Sequence, residues 1–426
     1  MATPAAFQRQ SSAYQILLVG LLSLNFGILF FDRNALNFLM PIVKPELGLS
    51  NTQVGLLASG LSLTWSVAAF GMGKLSDSLG KRKLLLVLST LAFSVCSVLS
   101  GFAAGFTMLL LARLLMGIAE GGVMPISHAI VAAEVDPARR GLAQGVAQNL
   151  GSSLLGSFVA PVLLVAFAKM FGWREAFYLA GIPGLASALL IWFLVKEPPV
   201  PTTEPTVAAA GDGMTMVQAL KERNILICVL LSLLGVSYLV ICWAFMPLFL
   251  TEVRHLSEAA TGWLMGTLGL SAAFCSFSVS ALSDRIGRRP IMIALPFIAI
   301  ILPLGALFFA GSLWLLAAIF FVGWMITGTF PLFMATVPSE SVDPRHAATV
   351  LGLAMGSGEV VGGVLGPTIA GAAADATSLA APLWIMVGLA LASGVSATFL
   401  RETAPSQNPP KSMASGAYSA AKEQEG

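Results

Sequence analysis

Four ionisable residues interrupt apolar stretches of the sequence, where a charge is costly. Asp32 and Arg33 are adjacent within I-L-F-F-D-R-N-A, and Arg113 and Glu120 lie within A-R-L-L-M-G-I-A-E-G-G. Seven residues are close to two helical turns, so Arg113 and Glu120 face one side of a helix about 10 Å apart. A charge at the centre of a bilayer costs about 3 kcal/mol unless it faces a polar cavity or a partner. Such a cluster is either an anion-binding, proton-exchanging site or a buried structural ion pair.

The composition is that of an integral membrane protein. Of the 426 residues, 57% are hydrophobic and 10% are charged, whereas soluble domains carry about 25% charged residues. A net charge of +2 without a basic, aromatic-rich cluster argues against a nucleic-acid partner. The sequence lacks a metal-ligand cluster, a nucleophile–base set and a phosphate-binding loop, so we expect neither an enzyme nor a bound metal or cofactor.

Twelve apolar segments are each long enough to cross a bilayer, which takes about 20 residues. Breaks at charges, Pro and Gly place them at Tyr14–Met40, Thr52–Gly73, Leu84–Phe102, Phe106–Ala132, Gly141–Ala168, Ala176–Val195, Ile225–Leu250, Thr261–Leu282, Ile291–Ala310, Leu313–Val337, Ala347–Ala373 and Leu379–Leu400. The sequence therefore predicts an all-α membrane protein with twelve transmembrane helices.

The segments fall into two groups of six. Residues 196–223 are rich in Pro, Thr and Ala and are predicted to form a flexible cytoplasmic linker between a half at residues 1–195 and a half at residues 224–400. Residues 401–426 are polar, and we expect a disordered cytoplasmic tail. With both termini inside, the external loops hold few of the 23 Lys and Arg residues, namely Lys44, Lys169, Arg174 and Arg254. The bias predicts that both termini are cytoplasmic.

The two groups of helices also repeat one another in sequence. L-S-D-S-L-G-K-R at residues 75–82 recurs as L-S-D-R-I-G-R-R at residues 282–289, an offset of 207 residues. Asp136-Pro137 recurs as Asp343-Pro344 at the same offset. Parallel repeats of this kind are typical of alternating-access transporters, whose binding site lies near mid-membrane between the halves.

The first copy of the repeat resembles a known family signature. G-K-L-S-D-S-L-G-K-R at residues 73–82 is similar to the loop between helices two and three of the major facilitator superfamily, and the second copy has Ser280 in place of Gly73. Phe31-Asp32-Arg33 and Arg113 with Glu120-Gly121 resemble the anion:cation symporter family within it. The resemblance covers essentially the whole chain. It implies the major facilitator fold, the bacterial inner membrane, and carriage of a small organic anion, in many bacterial members together with protons; we expect a monomer.

The resemblance also implies a role for each intramembrane charge. Arg33 grips the substrate carboxylate, Asp32 and Glu120 carry protons, and Arg113 pairs with Glu120. Protonating either acid leaves a net positive site, so proton entry raises the affinity for an anion. Both guanidinium groups are predicted to face a water-accessible pocket at mid-bilayer. The alternative is a fixed electrostatic scaffold with the proton carried elsewhere. The positions 207 residues later are uncharged: Leu239, Val240, Phe320 and Thr327.

The signature loops are expected to latch neighbouring helices on the cytoplasmic face in one conformation, through charge and helix-dipole contacts. The residues assigned to this latch are Gly73, Asp77, Gly80, Arg82, Asp284, Gly287 and Arg288. The alternative is that these charges only set the topology.

The residues expected around the substrate are mainly aromatic. The cavity candidates besides Arg33 are Phe30, Trp65, Ser152, Tyr238, Trp243, Trp324 and Phe330. The spans of the second half contain neither Asn nor Gln, and a polyhydroxylated acid needs many hydrogen bonds when it is buried. The pattern therefore favours an aromatic or short aliphatic acid. A sugar-acid proton symporter and an organic-anion exchanger stay as alternatives, and any one of the aromatic residues can instead face lipid or the core.

Two further ionisable residues are left open. Glu359 lies in the Gly-rich eleventh segment at the repeat position of Ser152, and it is a candidate for substrate binding, proton transfer or a structural contact. His128 follows Glu120 by two turns and is either a proton relay or a structural residue.

Overall fold

The computed structural model describes residues 11–136, 139–198, 215–342 and 346–404. Within these ranges, ten side chains are outside the description: Phe70, Gly73, Lys74, Asp77, Arg140, Gly141, Ser276, Phe277, Ala347 and Ala348.

Over the described residues the chain forms twelve helical rods, as the sequence predicts. The first half contains α1 Ser12–Leu47, α2 Asn51–Leu79, α3 Arg82–Gly101, α4 Phe106–Glu134, α5 Leu142–Phe171 and α6 Trp173–Leu194. The second half contains α7 Arg223–Val253, α8 Glu258–Ile286, α9 Arg288–Phe308, α10 Leu313–Glu340, α11 Thr349–Ala376 and α12 Ala381–Ala397. Nine of these described rods are individually long and apolar enough to span a membrane, and α12 is shorter, with 17 residues.

The turn between α1 and α2 is set by residues that favour helix ends. Gly48, with a left-handed φ of 62°, ends α1, because only glycine adopts that backbone freely. Ser50 and Gln53 then form a capping box, in which Gln53 N–H donates to Ser50 Oγ at 3.1 Å and Ser50 N–H donates to Gln53 Oε1 at 3.0 Å. The resulting tight turn brings α2 back beside α1.

Helical irregularities recur at related places in the two halves. The regular α-helix of α4 is interrupted at Gly122, and the equivalent part of α10 is a 3₁₀ segment, Trp324–Thr329. α5 contains the π-helical segment Ser152–Val159, and α11 contains Gly358–Gly362. Such segments are common at functional sites, and here they lie next to Glu120 and Glu359.

The halves meet tightly at one end of the bundle. We call the end where α1 begins the inner end and the opposite end the outer end. At the outer end Lys44 of α1 pairs with Glu252 of α7 at 3.0 Å, and Lys169 of α5 pairs with Glu258 of α8 at 3.4 Å. Asp375 of α11 accepts hydrogen bonds from the first backbone N–H groups of α2, at 2.9 and 2.7 Å. At the outer end, polar contacts thus join α1 to α7, α5 to α8 and α2 to α11.

The same helices are less closely packed toward the inner end. A methyl group at Gly55 of α2 would collide with the Pro367 carbonyl of α11, whereas Gly71 of α2 and Gly352 and Gly356 of α11 have no such neighbour within 4 Å. The inner part of α11 packs on α7 and α10 of its own half. The described parts of α2 and α11 are therefore packed closely near the outer end and less closely near the inner end.

The chain between the halves is only partly described. Residues 199–214 lie outside the described residues, but the end of the predicted linker contains a short helical turn, Met216–Ala219, with a Thr215–Gln218 capping box. At its start, Lys196 N–H donates to the Tyr14 hydroxyl at 2.9 Å. The predicted disordered tail beyond residue 404 and the repeated Asp343-Pro344 also lie outside the described residues, so those expectations stay predictions.

Candidate functional site

Arg33 projects from the middle of α1 between two aromatic rings. Its guanidinium carbon lies 5.6 Å from the centre of the Phe30 ring and 5.4 Å from the centre of the Trp65 ring of α2. The side chain is 17% exposed, whereas Asp32, Arg113 and Glu120 are at most 3% exposed. Contacts with two ring faces attract the cation and orient its plane. Arg33 is therefore a partly solvated, oriented cation beside the space between the halves.

Glu120 of α4 is the ion-pair partner of Arg33. Its Oε2 lies 3.8 Å from Arg33 Nη1, and its side chain is 0% exposed. Gly117 and Gly121, one turn apart, let α4 approach the Trp65 backbone of α2 too closely for any larger residue. Neither Glu120 oxygen accepts a hydrogen bond from the described residues. Glu120 is thus held near Arg33 by helix packing and not by a hydrogen-bond network.

Arg113 lies behind Arg33, inside the first half. It is 3% exposed, and it donates to the Arg33 carbonyl at 2.8 Å and to Met116 Sδ at 3.0 Å. Arg113 and Glu120 interact electrostatically, but among the described residues the ion-pair contact of Glu120 is with Arg33. The expectation that both guanidinium groups face a water-accessible pocket is wrong for this structure, because Arg113 is only 3% exposed.

Asp32 points away from Arg33 into the first half. It is 0% exposed, lies beside Ser97 of α3, and interacts electrostatically with Glu120 and Arg113. Neither carboxylate oxygen accepts a hydrogen bond from the described residues, and Ser97 instead donates to the Phe177 carbonyl at 3.0 Å. Adjacent residues in a helix point about 100° apart, which explains why one of the pair faces the cavity and the other does not.

Two polar residues of α5 share one face of that helix. Ser152 is half-buried and donates to the Gln148 carbonyl at 2.7 Å. Leu150 and Leu154, on the opposite face, are exposed as lipid-facing residues are. Gln148 lies one turn before Ser152 and is also half-buried. Gln148 is not among the residues predicted to line the cavity, although an amide in an apolar span is itself a signal of a polar surface.

Glu359 faces the first half from α11. Gly358 and Gly362 pack against α7, while Gly363, one turn from Glu359, packs against Ser62 of α2. The Glu359 side chain is half-buried and interacts electrostatically with Arg33 across the boundary between the halves. Among the described residues of the second half, Glu359 thus supplies a charge opposite Arg33.

The aromatic candidates of the second half lie in the protein interior. Tyr238 and Trp324 are each 1% exposed, and the Tyr238 hydroxyl donates to the Ala299 carbonyl at 2.9 Å. Trp243 packs edge-on against Trp324, with ring centres 5.4 Å apart, and against Phe38 of α1 at 5.6 Å. These three rings are thus buried among one another and against α1, and their predicted role at the substrate stays a prediction. Phe330 lies further inward and packs against Phe333 at 5.0 Å.

The signature loop of the second half ties three helices together. Arg288, at the start of α9, pairs with Asp284 of α8 at 2.5 Å and with Glu340 of α10 at 3.1 Å. In the first half, Arg82 Nη1 donates to the Ala129 carbonyl of α4 at 3.4 Å. Gly80 and Gly287, with φ of 63° and 107°, end α2 and α8. The Gly73 and Asp77 side chains lie outside the described residues, so a conformation-dependent latch stays a prediction.

His128 lies on α4 two turns beyond Glu120, toward the inner end of the bundle. It is half-buried, and its Nε2 is buried without a hydrogen-bond partner among the described residues. The position leaves both the relay and the structural interpretation open.

Two six-helix halves with ionisable residues buried between their ends are typical of membrane transporters. The chain belongs to the Major Facilitator Superfamily, whose family model matches residues 22–360 and again residues 225–422. This confirms the resemblance noted from the signature loop. The protein is an integral membrane transporter and not an enzyme.

Its relatives include organic-acid carriers. The chain is 32% identical over 352 residues to a probable 4-methylmuconolactone transporter of Cupriavidus pinatubonensis, covering 79% of this chain and 80% of the relative. It is 28% identical over 381 residues to the hexuronate transporter of Bacillus subtilis, covering 84% and 88%.

A solved structure has the same fold. The bacterial homolog of the human lysosomal transporter Spinster, in an inward-facing and unoccupied conformation, superposes with a TM-score of 0.71 at 21% sequence identity, covering 92% of this chain and 97% of that chain.

Proposed function

We propose that this chain is a proton-coupled symporter that imports an organic carboxylate by alternating access, and that the acid is aromatic or short and aliphatic. The observation that carries the proposal is Arg33, a partly exposed guanidinium group held between the Phe30 and Trp65 rings and paired with the buried Glu120 at 3.8 Å. A planar guanidinium matches a carboxylate and keeps its charge at every physiological pH.

The Arg33–Glu120 pair supplies the coupling step. While Glu120 is ionised, it competes with an incoming carboxylate for Arg33. A proton on Glu120 removes that competitor, so the anion binds more tightly, and by reciprocity a bound anion holds the proton more tightly. Arg113 supports the site by fixing the Arg33 backbone through its carbonyl. Asp32, buried without a donor among the described residues, is the second proton carrier of this half.

The surroundings of Arg33 support the substrate class. Aromatic rings lie on two sides of its guanidinium group, and an aromatic ring or a short chain packs against such rings better than a row of hydroxyl groups does. One relative is named as a probable transporter of 4-methylmuconolactone, a ring compound. Gln148 and Ser152 and the hexuronate relative favour the second candidate, a sugar-acid symporter. The charge bias supports insertion in the bacterial inner membrane with both termini inside.

Uptake into proteoliposomes tests the proposal. A thermal-shift screen of aromatic, aliphatic and sugar acids selects the acid, and a pH gradient, acidic outside, is then expected to drive its accumulation without internal counter-substrate. Glu120→Gln is expected to retain exchange but to reduce accumulation at least tenfold, because the amide carries no transferable proton. Glu175→Gln, an exposed residue at the start of α6, is the control and keeps full accumulation.

Two results would contradict the proposal. Uptake that requires internal acid and ignores the pH gradient indicates an exchanger. Full accumulation by Glu120→Gln removes Glu120 from the proton route. A preference for gluconate-like acids in the screen would instead select the sugar-acid candidate.

A further inference from the structure

The face of α1 that carries Arg33 continues toward the outer end as a partly accessible stripe. Arg33, Asn37, Pro41 and Lys44 follow one another at intervals of three or four residues, and each is half-buried. Every other residue of α1 between Arg33 and Pro41, apart from Asn37, is buried. Residues at this spacing share one side of a helix, so Asn37 is the next accessible side chain beyond Arg33 on the same face.

The second half lies opposite this stripe. At the outer end of the stripe Lys44 pairs with Glu252 of α7 at 3.0 Å, and at its other end Arg33 interacts electrostatically with Glu359 of α11. Asn37 lies between these two contacts, about 6 Å along the helix from Arg33. Asn37 therefore faces the boundary between the halves, one turn beyond the proposed carboxylate ligand.

The orientation of the Asn37 amide is set from below. Its Nδ2 donates a long hydrogen bond of 3.4 Å to Asn34 Oδ1, and Asn34 Nδ2 donates to the Gly156 carbonyl of α5 at 3.2 Å. Asn34 is only 6% exposed, so it is a fixed support. Within the described parts of the chain, the Asn37 oxygen accepts no hydrogen bond. An amide has two N–H donors and an acceptor oxygen, so Asn37 can still bind a hydroxyl or carbonyl group.

The distance between this amide and the Arg33 guanidinium group suits a small acid. The guanidinium group lies against the ring of Phe30, seven residues before Asn37, so the two polar groups are roughly 6 to 10 Å apart along the helix axis. The carboxylate and the opposite substituent of a benzene ring are separated by a similar length. A single substrate can therefore reach both groups.

We infer that Asn37 is a second substrate-binding residue, and that it selects acids that carry a hydroxyl or oxo group at the end of the molecule opposite the carboxylate. The inference rests on the proposed function, in which Arg33 holds the carboxylate. It narrows the substrate class: one polar group at the far end has a partner on α1, whereas an unsubstituted acid leaves the Asn37 amide without a ligand.

Calorimetric titration of the purified full-length protein tests this with two pairs of probe acids, benzoate with 4-hydroxybenzoate and butyrate with 4-hydroxybutyrate. The wild type is expected to bind the hydroxy acid of at least one pair roughly fivefold more tightly than its partner, the value of one neutral hydrogen bond. Asn37→Leu, similar in size but without hydrogen-bonding atoms, is expected to bind both members of that pair equally and to keep its affinity for the unsubstituted acid. The 2-hydroxy isomers, whose hydroxyl lies beside the carboxylate, are expected to bind equally to both proteins.

The control is Asn51→Leu, since Asn51 is also half-buried but lies at the start of α2 at the outer end; it keeps the wild-type preference. Asn37→Ser, which retains a hydroxyl group, is expected to keep part of the preference. Equal wild-type affinity within both pairs overturns this inference and leaves the proposed function intact, as does a preference that survives in Asn37→Leu or a 2-hydroxy isomer that loses affinity there. Loss of the unsubstituted acid in both Asn37 variants indicates a structural role and also overturns it. A wild type that binds none of these acids overturns both the inference and the proposed function.

Discussion

Arg33 has aromatic rings within 5.6 Å on two sides, from Phe30 on its own helix and Trp65 on the next. The rings restrict the guanidinium plane, and Glu120 at 3.8 Å leaves room for a carboxylate to replace it. A lysine ammonium in the same place has no plane to orient and makes no bidentate contact. The chemistry of this site therefore depends on the shape of the cation as well as on its charge.

Replacing Arg33 tests this dependence at the residue scale. Arg33→Lys is expected to weaken binding of the acid roughly tenfold or more, or about 1–2 kcal/mol, through the loss of stacking and of the bidentate geometry. Arg33→Ala is expected to abolish binding. Calorimetric titration of the purified protein measures both.

Arg254→Lys is the matched control, since Arg254 is also partly buried but donates to backbone carbonyls of α9 at the outer end. Unchanged affinity in Arg33→Ala would refute the assignment of Arg33 as the substrate ligand.

At the scale of helices, a glutamate after the last helix of each half caps the third helix of that half. Glu402, after α12, accepts hydrogen bonds from the backbone N–H groups of Arg288 and Arg289 at 2.8 and 3.0 Å, at the start of α9. Glu197, after α6, accepts one from Lys83 at 2.9 Å, at the start of α3. A carboxylate at a helix N-terminus is stabilised by the unpaired N–H groups and the helix dipole. In each half, the segment that follows the last helix thus caps the third helix.

The Glu402 cap predicts a pH-dependent stability. Burial raises the pKa of Glu402, but hydrogen bonds from four backbone N–H groups outweigh burial and hold the pKa below its ordinary value. A lowered folded-state pKa means that the contribution is complete above the unfolded value of about 4.3 and is lost as the pH falls through the folded-state pKa. Glu402→Gln is expected to cost about 1 kcal/mol at pH 7, and thermal unfolding from pH 7 to pH 3 measures the difference.

The gap between wild type and Glu402→Gln is expected to close below the folded-state pKa. Glu222→Gln, which stands before α7 without a cap hydrogen bond, is expected to leave the melting curve unchanged. A gap that persists at pH 3 would show that the carboxylate charge is not what stabilises the cap.

At the scale of the whole molecule, the contacts between halves are concentrated at the outer end. Lys44–Glu252, Lys169–Glu258 and the Asp375 hydrogen bonds each join one helix of the first half to one of the second. Below them, Phe38 and Trp243 meet edge-on across the boundary. Transport requires these contacts to break and the inner end to close in turn.

A cross-link between Lys44→Cys and Glu252→Cys tests this requirement. A reducible bifunctional thiol reagent that joins α1 to α7 is expected to stop transport almost completely, because the outer end can no longer open, and a reductant is expected to restore it. The four native cysteines are buried, so they contribute little background. Uptake into proteoliposomes before and after reduction is the measurement.

The control cross-link joins Glu46→Cys to Arg174→Cys, an ion pair at the same end but within the first half. That cross-link is expected to leave transport intact. Transport that continues in the fully cross-linked Lys44–Glu252 protein would show that the outer contacts do not move during the cycle.

The features that depend on local composition can be predicted from the sequence alone. Span lengths, the duplicated halves, and the charges at Asp32, Arg33, Arg113, Glu120 and Glu359 are all visible in the chain, because a bilayer requires long apolar helices and makes each interruption costly. The first two helices run past the predicted span ends, Met40 and Gly73, to Leu47 and Leu79, where Gly48 and Gly80 adopt left-handed φ.

Which of the charged and aromatic side chains contact one another depends on the tertiary structure. The ion-pair contact of Glu120 is with Arg33, Tyr238 and Trp324 are buried in the interior, and Gln148 joins Ser152 on the polar face of α5. The rotation of each helix about its axis depends on its neighbours across both halves. Hydrophobic periodicity is weak in helices that are apolar on nearly every side, so those neighbours, and not the local sequence, set which side chains face the substrate.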